Sequence, residues 1–419
     1  MRSEMTLRYN YRLNPTPEQA EMLVLFSSYA RGVWNLLLSE VERRYRYDRK
    51  FLFYTDMAAL LKELKAFDEF AWLKAMDSAA AQQVARDLDQ ALRNKISNSS
   101  HYGFPRFKAT YQRKKLHADS FRAVNNNNCV RIENGCLKVP KVGLVPIKLH
   151  RKIPGKITTV TIQYEAGHWY ASFVVKVPDA APIEQIERSI GLDLNSQQLL
   201  VGSDGFTVIN PKHLAQSEAR LKRIQKQLSR RKKGSLRWQK SKLKIQKIHQ
   251  TIARQRQDLL HQISNQITND YDLIVVEDLN VKGMQQWNGR MVGDAGWAML
   301  AQYLAYKAEM KGKLFHAIDR FAPTTKECCE CGHLQHVRLD ERVYECGGCR
   351  AVRPRDWNSG INIQRTGIEE LCASGTLVRR DDAATVRKKL ADQTKVLGEQ
   401  PKFARGTAQR EAAYAAEAQ

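Results

Sequence analysis

Two Cys-x-x-Cys pairs, Cys328/Cys331 and Cys346/Cys349, constrain this chain more than any other feature. Fourteen residues part them, and glycines mark both turns: Gly332 follows the first pair and Gly347-Gly348 lies inside the second. Four thiolates arranged as two short-spaced pairs on facing turns supply the tetrahedron that zinc wants. A site closed by four thiolates keeps no open position, so this zinc is expected to hold structure rather than react. Two weaker readings remain: a redox Cys-x-x-Cys pair, and competition by the adjacent Cys329 for the place of Cys328, although the spacing favours Cys328. Cys129, Cys136 and Cys372 are scattered, and Met1–Leu7 lacks the long apolar core of a secretory signal. A disulfide framework is therefore not expected.

Charge is the second constraint. Lysine and arginine total 68 against 44 acids, a net charge of +24 over 419 residues. That excess says little about fold and much about partners, of which a polyanion is the first expectation and an anionic membrane face the alternative. No apolar run approaches the ~18 residues that span a bilayer. Between Arg220 and Arg256 stand fifteen basic residues and no acid, so more than half of the excess sits in one segment. A solvated helix face usually mixes signs. A single-sign helical pair around a turn at Lys233-Gly234-Ser235 is better explained by phosphate contacts, for which Arg230, Arg231, Lys232, Lys233, Arg237 and Lys240 are the candidates.

The chain's length suits two or three domains. Leu7, Tyr9, Tyr11 and Leu13 alternate with polar residues as a half-buried strand does. Thr16-Pro17-Glu18-Gln19 carries the signature of a helix start, with Met22, Leu25, Tyr29, Val33, Leu36, Leu37 and Val41 following at helical spacing. A further helix is expected from Ser78, with Val84, Leu88, Leu92 and Ile96 on one face. Short strands follow around Arg131, Leu137 and Val145–Leu149, then a hairpin turning at Ala166-Gly167. The first 180 residues thus describe a small β-domain whose first strand is followed by an inserted helical bundle. A linker near residues 178–188 leads to strands at 189–194, 198–202 and 206–209, the last two joined at Asp204-Gly205. The basic helices come next. Leu273–Val276 is a buried strand, another strand is expected over 313–319, and the end of the chain, from about Leu371, is polar and expected to be partly disordered.

Three acids stand where such a layout would use them. Asp193 lies in the strand Gly191-Leu192-Asp193, Glu277 closes Ile274–Val276, and Asp356 follows the cysteines. Each has a plain alternative: Asp356 as a helix N-cap, Glu277 as a strand-end acid, or Asp278 as the important neighbour. One acid in the first strand, one at the end of a later strand and one opening a helix describe a ribonuclease H-like core. There, hard oxygen ligands gather Mg²⁺, and two such ions serve phosphodiester hydrolysis.

The order Gly-Leu-Asp, basic helical pair, Val-Val-Glu-Asp-Leu-Asn, four-cysteine ribbon and Arg-Asp-x-Asn closely resembles TnpB. These are RuvC-like nucleases of insertion sequences, related to type V CRISPR effectors and often described as transposases. Tyr11-Arg12-Leu13 with Pro15-Thr16, the segment Gly103–Lys108, Val281–Met284 and Asp294–Trp297 carry the resemblance further, over roughly residues 5 to 367. It implies an RNA-guided, Mg²⁺-dependent DNA endonuclease with a transposon-derived guide RNA, a double-stranded DNA target and a short target-adjacent motif, working in a prokaryotic cytoplasm at the nucleoid. Pairing would then read sequence while the protein reads shape and backbone. It implies an α/β multidomain fold: a β-barrel wedge (1–14 and 103–180) with an inserted recognition bundle (15–102), a RuvC-like domain (186–325 and 354–370), a zinc ribbon (326–353) and the tail (371–419). Asp193, Glu277 and Asp356 match the catalytic acids. Asn195 and Arg350 stand where the family commonly has glycine, Pro354 stands for an acid, and Ser359-Gly360 stands for an alanine pair. The alternatives are a nuclease-inactive RNA-guided repressor, which loss of an acid would mark, and a transposase that joins strands itself. All three acids are present, and the ribbon between the second and third argues for TnpB.

Overall fold

A computed structural model describes residues 4–108, 120–125, 128–183, 185–338 and 340–376. Within the expected tail, residues 377–419 lie outside the described residues. The fold is mixed α/β and divides into two compact units, Met1–Pro178 with Leu228–Lys247, and Asp179–Gln227 with Ile248 onward. No helix among the described residues is long and apolar enough to cross a membrane.

The first unit opens with β1 (Glu4–Leu13), whose alternation buries Met5, Leu7, Tyr11 and Leu13. Four helices follow: α1 (Pro17–Asp48), α2 (Tyr54–Leu64), α3 (Trp72–Ala75) and α4 (Ser78–Ser97). Thr16 caps α1 as its sequence requires. The Gln19 N–H donates to the Thr16 hydroxyl (3.3 Å) while the Thr16 N–H donates to the Gln19 side chain (3.1 Å). On α4, Val84, Leu88 and Leu92 are buried, but Ile96 is exposed, because the stripe outruns the neighbours that cover it. Six strands complete the unit: β2 (Ser120–Val124), β3 (Arg131–Glu133), β4 (Cys136–Val139), β5 (Gly143–Lys148), β6 (Lys156–Glu165) and β7 (His168–Pro178). They form one antiparallel sheet in the order β2-β6-β7-β1-β5-β4-β3. So β1 lies between β7 and β5 although four helices separate it from both in the chain. The hairpin between β6 and β7 turns where expected, with Ala166 and Gly167 both at positive φ. Phe26, Val33, Leu37 and Leu88 of the helices share one core with Phe121, Ile162 and Phe173 of the sheet.

The second unit holds β8 (Ser189–Asp193), β9 (Gln198–Gly202), β10 (Thr207–Ile209), α5 (His213–Ser229) as far as Gln227, α6 (Leu236–Asp270) from Ile248 on, β11 (Leu273–Glu277), α7 (Val281–Ala295), α8 (Trp297–Met310), β12 (Leu314–Ile318), β13 (Val343–Glu345), β14 (Val352–Pro354) and α9 (Arg355–Ala373). The five-stranded sheet runs β10-β9-β8-β11-β12, with β8, β11 and β12 parallel and β9 and β10 antiparallel. Strand alternation sorts its residues between two cores. Ile190, Leu192, Ile274 and Val276 meet Leu260, Ile263 and Ile267 of α6 and Leu300 and Leu304 of α8. On the other face, Leu273 and Val275 meet Ile363, Ile368 and Leu371 of α9.

α9 approaches that face more closely than ordinary helix-on-sheet packing allows. A Cβ on Gly191 would lie 2.2 Å from the Gly360 carbonyl and 2.5 Å from the Gln364 nitrogen, and one on Gly367 would lie 2.4 Å from a Val275 methyl. Gly191→Ala is therefore expected to destabilise the protein by about 3 kcal/mol or more, since backbone cannot yield as a side chain can. Gly103→Ala, where an added Cβ meets nothing within 4 Å, should stay within about 0.5 kcal/mol. Urea denaturation of the two variants checks both values.

Candidate active site and metal centre

Parity decides which face each acid takes. Val275 pairs with Gly191 and Val276 with Leu192, so Glu277 and Asp193 come next, side by side at the carboxyl ends of two parallel strands. Both continue the 189-191-193 and 273-275-277 series and so face α9. Asp356 lies in the first turn of α9. It is not the N-cap, a place held by Pro354 without any side-chain hydrogen bond. Asp278, the alternative to Glu277, turns away to pair with Arg320 and is more than half exposed.

Burial, and after it the negative charges of Asp356 and Glu277, push the Asp193 carboxyl up to about 7. Burial also raises Glu277, against the pull of a hydrogen bond from the Thr324 hydroxyl. Asn195 manages the conflict. Its side-chain oxygen accepts from the N–H groups of Gln197 (3.1 Å) and Gln198 (2.8 Å), which fixes the amide. Its nitrogen donates to Asp356 (3.0 Å), and a hydrogen bond to Asp193 lowers that carboxyl. Arg355 donates twice to Asp356, at 3.1 and 3.2 Å. Among the described residues, the four cysteines are the only group of three or more His, Cys, Asp or Glu side chains whose ligand atoms come together, all within 4.8 Å of one another; the three carboxylates form no such group.

Buried amides along α9 hold Asp356 in place. Asn358 accepts from the Cys329 N–H (3.0 Å) and donates to the Glu327 carbonyl (2.7 Å), Asn362 donates to the carbonyls of Thr324 (2.8 Å) and Glu327 (2.7 Å), and Gln364 donates to Ser189 (2.8 Å). None of these partners stands out in the sequence, because each bond joins segments far apart in the chain.

The cysteine pairs meet between Glu327 and the β13–β14 hairpin. Sγ–Sγ distances are 3.7 Å for Cys328–Cys349 and 3.6 Å for Cys331–Cys346. A tetrahedron with metal–sulfur bonds of about 2.3 Å has edges of about 3.8 Å, so the four thiols fit zinc. The Cys349 N–H donates to the Cys346 sulfur (3.4 Å), and such backbone donors lower that thiol to about 6, toward the thiolate a metal needs. Cys329 is no rival for the place of Cys328: Arg353 donates to its sulfur (3.2 Å), and burial pushes the thiol up to about 11. Arg350 sits at φ 60, in the left-handed conformation that glycine adopts most readily.

The basic turn lies in the first unit. α5 ends at Ser229 and α6 begins at Leu236, with Gly234 at φ 86 between them. Arg230, Lys232, Lys233, Arg237 and Lys240 are exposed. Arg231 is half-buried and braces the turn, donating to the Arg237 carbonyl (2.6 Å) and to the Ser241 hydroxyl.

Cys346→Ser should leave the purified protein short of zinc and open the ribbon to proteolysis between residues 326 and 353. Metal analysis and limited digestion of the full chain check this.

Three family models match the chain: "Probable transposase" over residues 172–288, "Cas12f1-like, TNB domain" over 297–363 and "Helix-turn-helix domain" over 1–50. The last falls on β1 and the single long helix α1. Among curated relatives, a Streptomyces pristinaespiralis protein named "Putative RNA-guided DNA endonuclease" is 30% identical over 402 residues, covering 94% of this chain and 97% of its own. Escherichia coli (strain K12) has one of the same name with the suffix InsQ, 30% identical over 390 residues, covering 88% and 94%. In fold, the chain is similar to Cas12f1 from its complex with sgRNA and target DNA. The TM-score is 0.54 at 12% identity, over 86% of this chain and 99% of that one. The 30% identity to the Streptomyces relative over 94% of this chain settles the family: the chain belongs to TnpB.

Proposed function

We propose that this chain is an RNA-guided DNA endonuclease of a transposable element, hydrolysing phosphodiester bonds at Asp193, Glu277 and Asp356. The observation that carries the proposal is the convergence of these acids from two adjacent parallel strands and one helix. The strand order of the second unit supports a RuvC-like, ribonuclease H-like domain (186–325 and 354–370) with the ribbon (326–353) inserted. In the first unit, the sheet is the counterpart of the β-barrel wedge (1–14 and 103–180), and α1–α4 of the inserted recognition bundle (15–102). The partners are a guide RNA transcribed from the element and a double-stranded target beside a short motif, with the exposed cations of the basic turn taking phosphates.

The donor set fits Mg²⁺: burial first, and then the charges of Asp356 and Glu277, favour the protonated Asp193, and a cation among the three carboxylates would relieve them together. When bound, Mg²⁺ supplies Lewis acidity for water attack and for the leaving oxygen. The chain's own residues do the rest. Asn195 keeps the two aspartates facing one another, Thr324 orients Glu277, Arg355 offsets the charge of Asp356, and Asp193 would hold the cation as a carboxylate. The fit of the four thiols supports structural Zn²⁺ in the ribbon.

Asp193→Asn should abolish cleavage of a DNA target while leaving nucleic-acid binding intact, and retained cleavage would remove Asp193 from the site. The same variant tests the electrostatics. Asp193 in the folded, metal-free chain binds its proton more tightly than in the unfolded one, so ionisation destabilises the fold as pH rises from about 4 to 7. Without divalent ions, Asp193→Asn should therefore be more stable than wild type at pH 8, by a few kcal/mol on a scale of about 1.4 per tenfold change in proton affinity, and no more stable at pH 4. Thermal unfolding at the two pH values reads this. Replacing Lys232 and Lys233 by glutamine should weaken DNA binding and reduce its log–log salt slope by about two. An unchanged slope would return those lysines to a solvated surface.

A further inference from the structure

The loop from Asp319 to Thr324, between β12 and the ribbon, is tied to the carboxyl end of β11 on both sides. Arg320 pairs with Asp278, the residue after Glu277, and the Asp278 N–H donates to the Ile318 carbonyl (3.0 Å). Buried Thr324 donates its hydroxyl to Glu277 itself. Within the loop, the Phe321 N–H donates to the Asp319 side chain (2.7 Å), the Ala322 N–H to the Asp319 carbonyl (3.1 Å) and the Thr324 N–H to the Ala322 carbonyl (2.8 Å). The backbone that carries Phe321 is thus fixed at the edge of the acid cluster.

The Phe321 side chain nevertheless points into solvent. At 86% exposure it is the most exposed large apolar side chain among the described residues, and no described ring or cation packs on it. A phenyl ring in water adds nothing to the fold, and on a loop pinned from both ends its exposure is not the slack of a free segment. A strand lying across phosphodiester-cleaving carboxylates presents one flat apolar group at every nucleotide, its base. An aromatic face beside the path takes such a base by stacking whatever its identity, provided the base is unpaired.

We infer that Phe321 is a stacking platform for a base of single-stranded DNA next to the scissile phosphate, fixing which phosphodiester lies over Asp193, Glu277 and Asp356. This rests on the endonuclease reading above and assigns that site a strand-positioning residue that does not touch the reacting atoms.

The test uses the full chain as purified with any RNA it carries. The probe is a DNA strand with a stretch complementary to the RNA that co-purifies, flanked by unpaired mixed-sequence DNA on the order of twenty nucleotides, with single 5-iodouracil substitutions walked along the unpaired part. Irradiation in the Asp193→Asn background, where the strand stays intact, should give an adduct on the peptide bearing Phe321. In the otherwise wild-type chain, Phe321→Ala should lower the second-order rate of strand cleavage roughly 5- to 150-fold, the range that a lost stacking contact spans. Phe321→Trp should keep that rate, and Phe321→Leu, apolar but not flat, should not. An adduct only on other peptides overturns the platform, as does Phe321→Ala cutting like wild type or Phe321→Leu matching Phe321→Trp. An adduct on Phe321 without cutting by the wild-type chain would support the platform and sink the endonuclease reading. Neither adduct nor cutting would sink both.

Discussion

Backbone contact between α9 and β8 is the constraint on which the candidate site depends. Two layers usually meet through side chains and stand apart accordingly. Here Gly191 removes the side chain from the strand, and the helix comes down until the Gly360 carbonyl and the Gln364 nitrogen touch the strand directly. That approach brings the first turn of α9, and Asp356 with it, to the end of β8 where Asp193 projects. A bulkier contact would keep the same fold and separate the carboxylates.

Such closeness carries an electrostatic penalty, and the surrounding polar groups are arranged against it. Asn195, anchored by two backbone N–H groups, reaches both aspartates with one amide. Arg355 sits against Asp356, and Thr324 against Glu277. The acids are held in a repulsive arrangement by neutral donors and one guanidinium.

Much of this was legible in the sequence because it rests on short periods. The alternation of Leu7 to Leu13 foretells a strand, Thr16 to Gln19 foretells a capped helix, Ala166-Gly167 a hairpin, and the cysteine spacing a four-thiol cluster. Asp193 and Glu277 could be singled out as candidates by their places, one inside a first strand and one at the end of a later strand. What stayed hidden depends on tertiary placement. Nothing local marks Asn195 as a partner of Asp356, Thr324 as a partner of Glu277, or Asn358 and Asn362 as clamps. Arg231 looked like its basic neighbours until its guanidinium was found bracing the turn, and Ile96 kept the helical period beyond the end of its packing partners.

The amide clamps on α9 have one more consequence. The ribbon's own apolar core amounts to little more than Cys328, Tyr344 and Cys346, so apolar burial alone gives it little order. Its base is stitched to α9 through Asn358 and Asn362, two and six residues after Asp356. Whatever holds the four thiols together is thereby fastened to the same helix whose first turn carries Asp356.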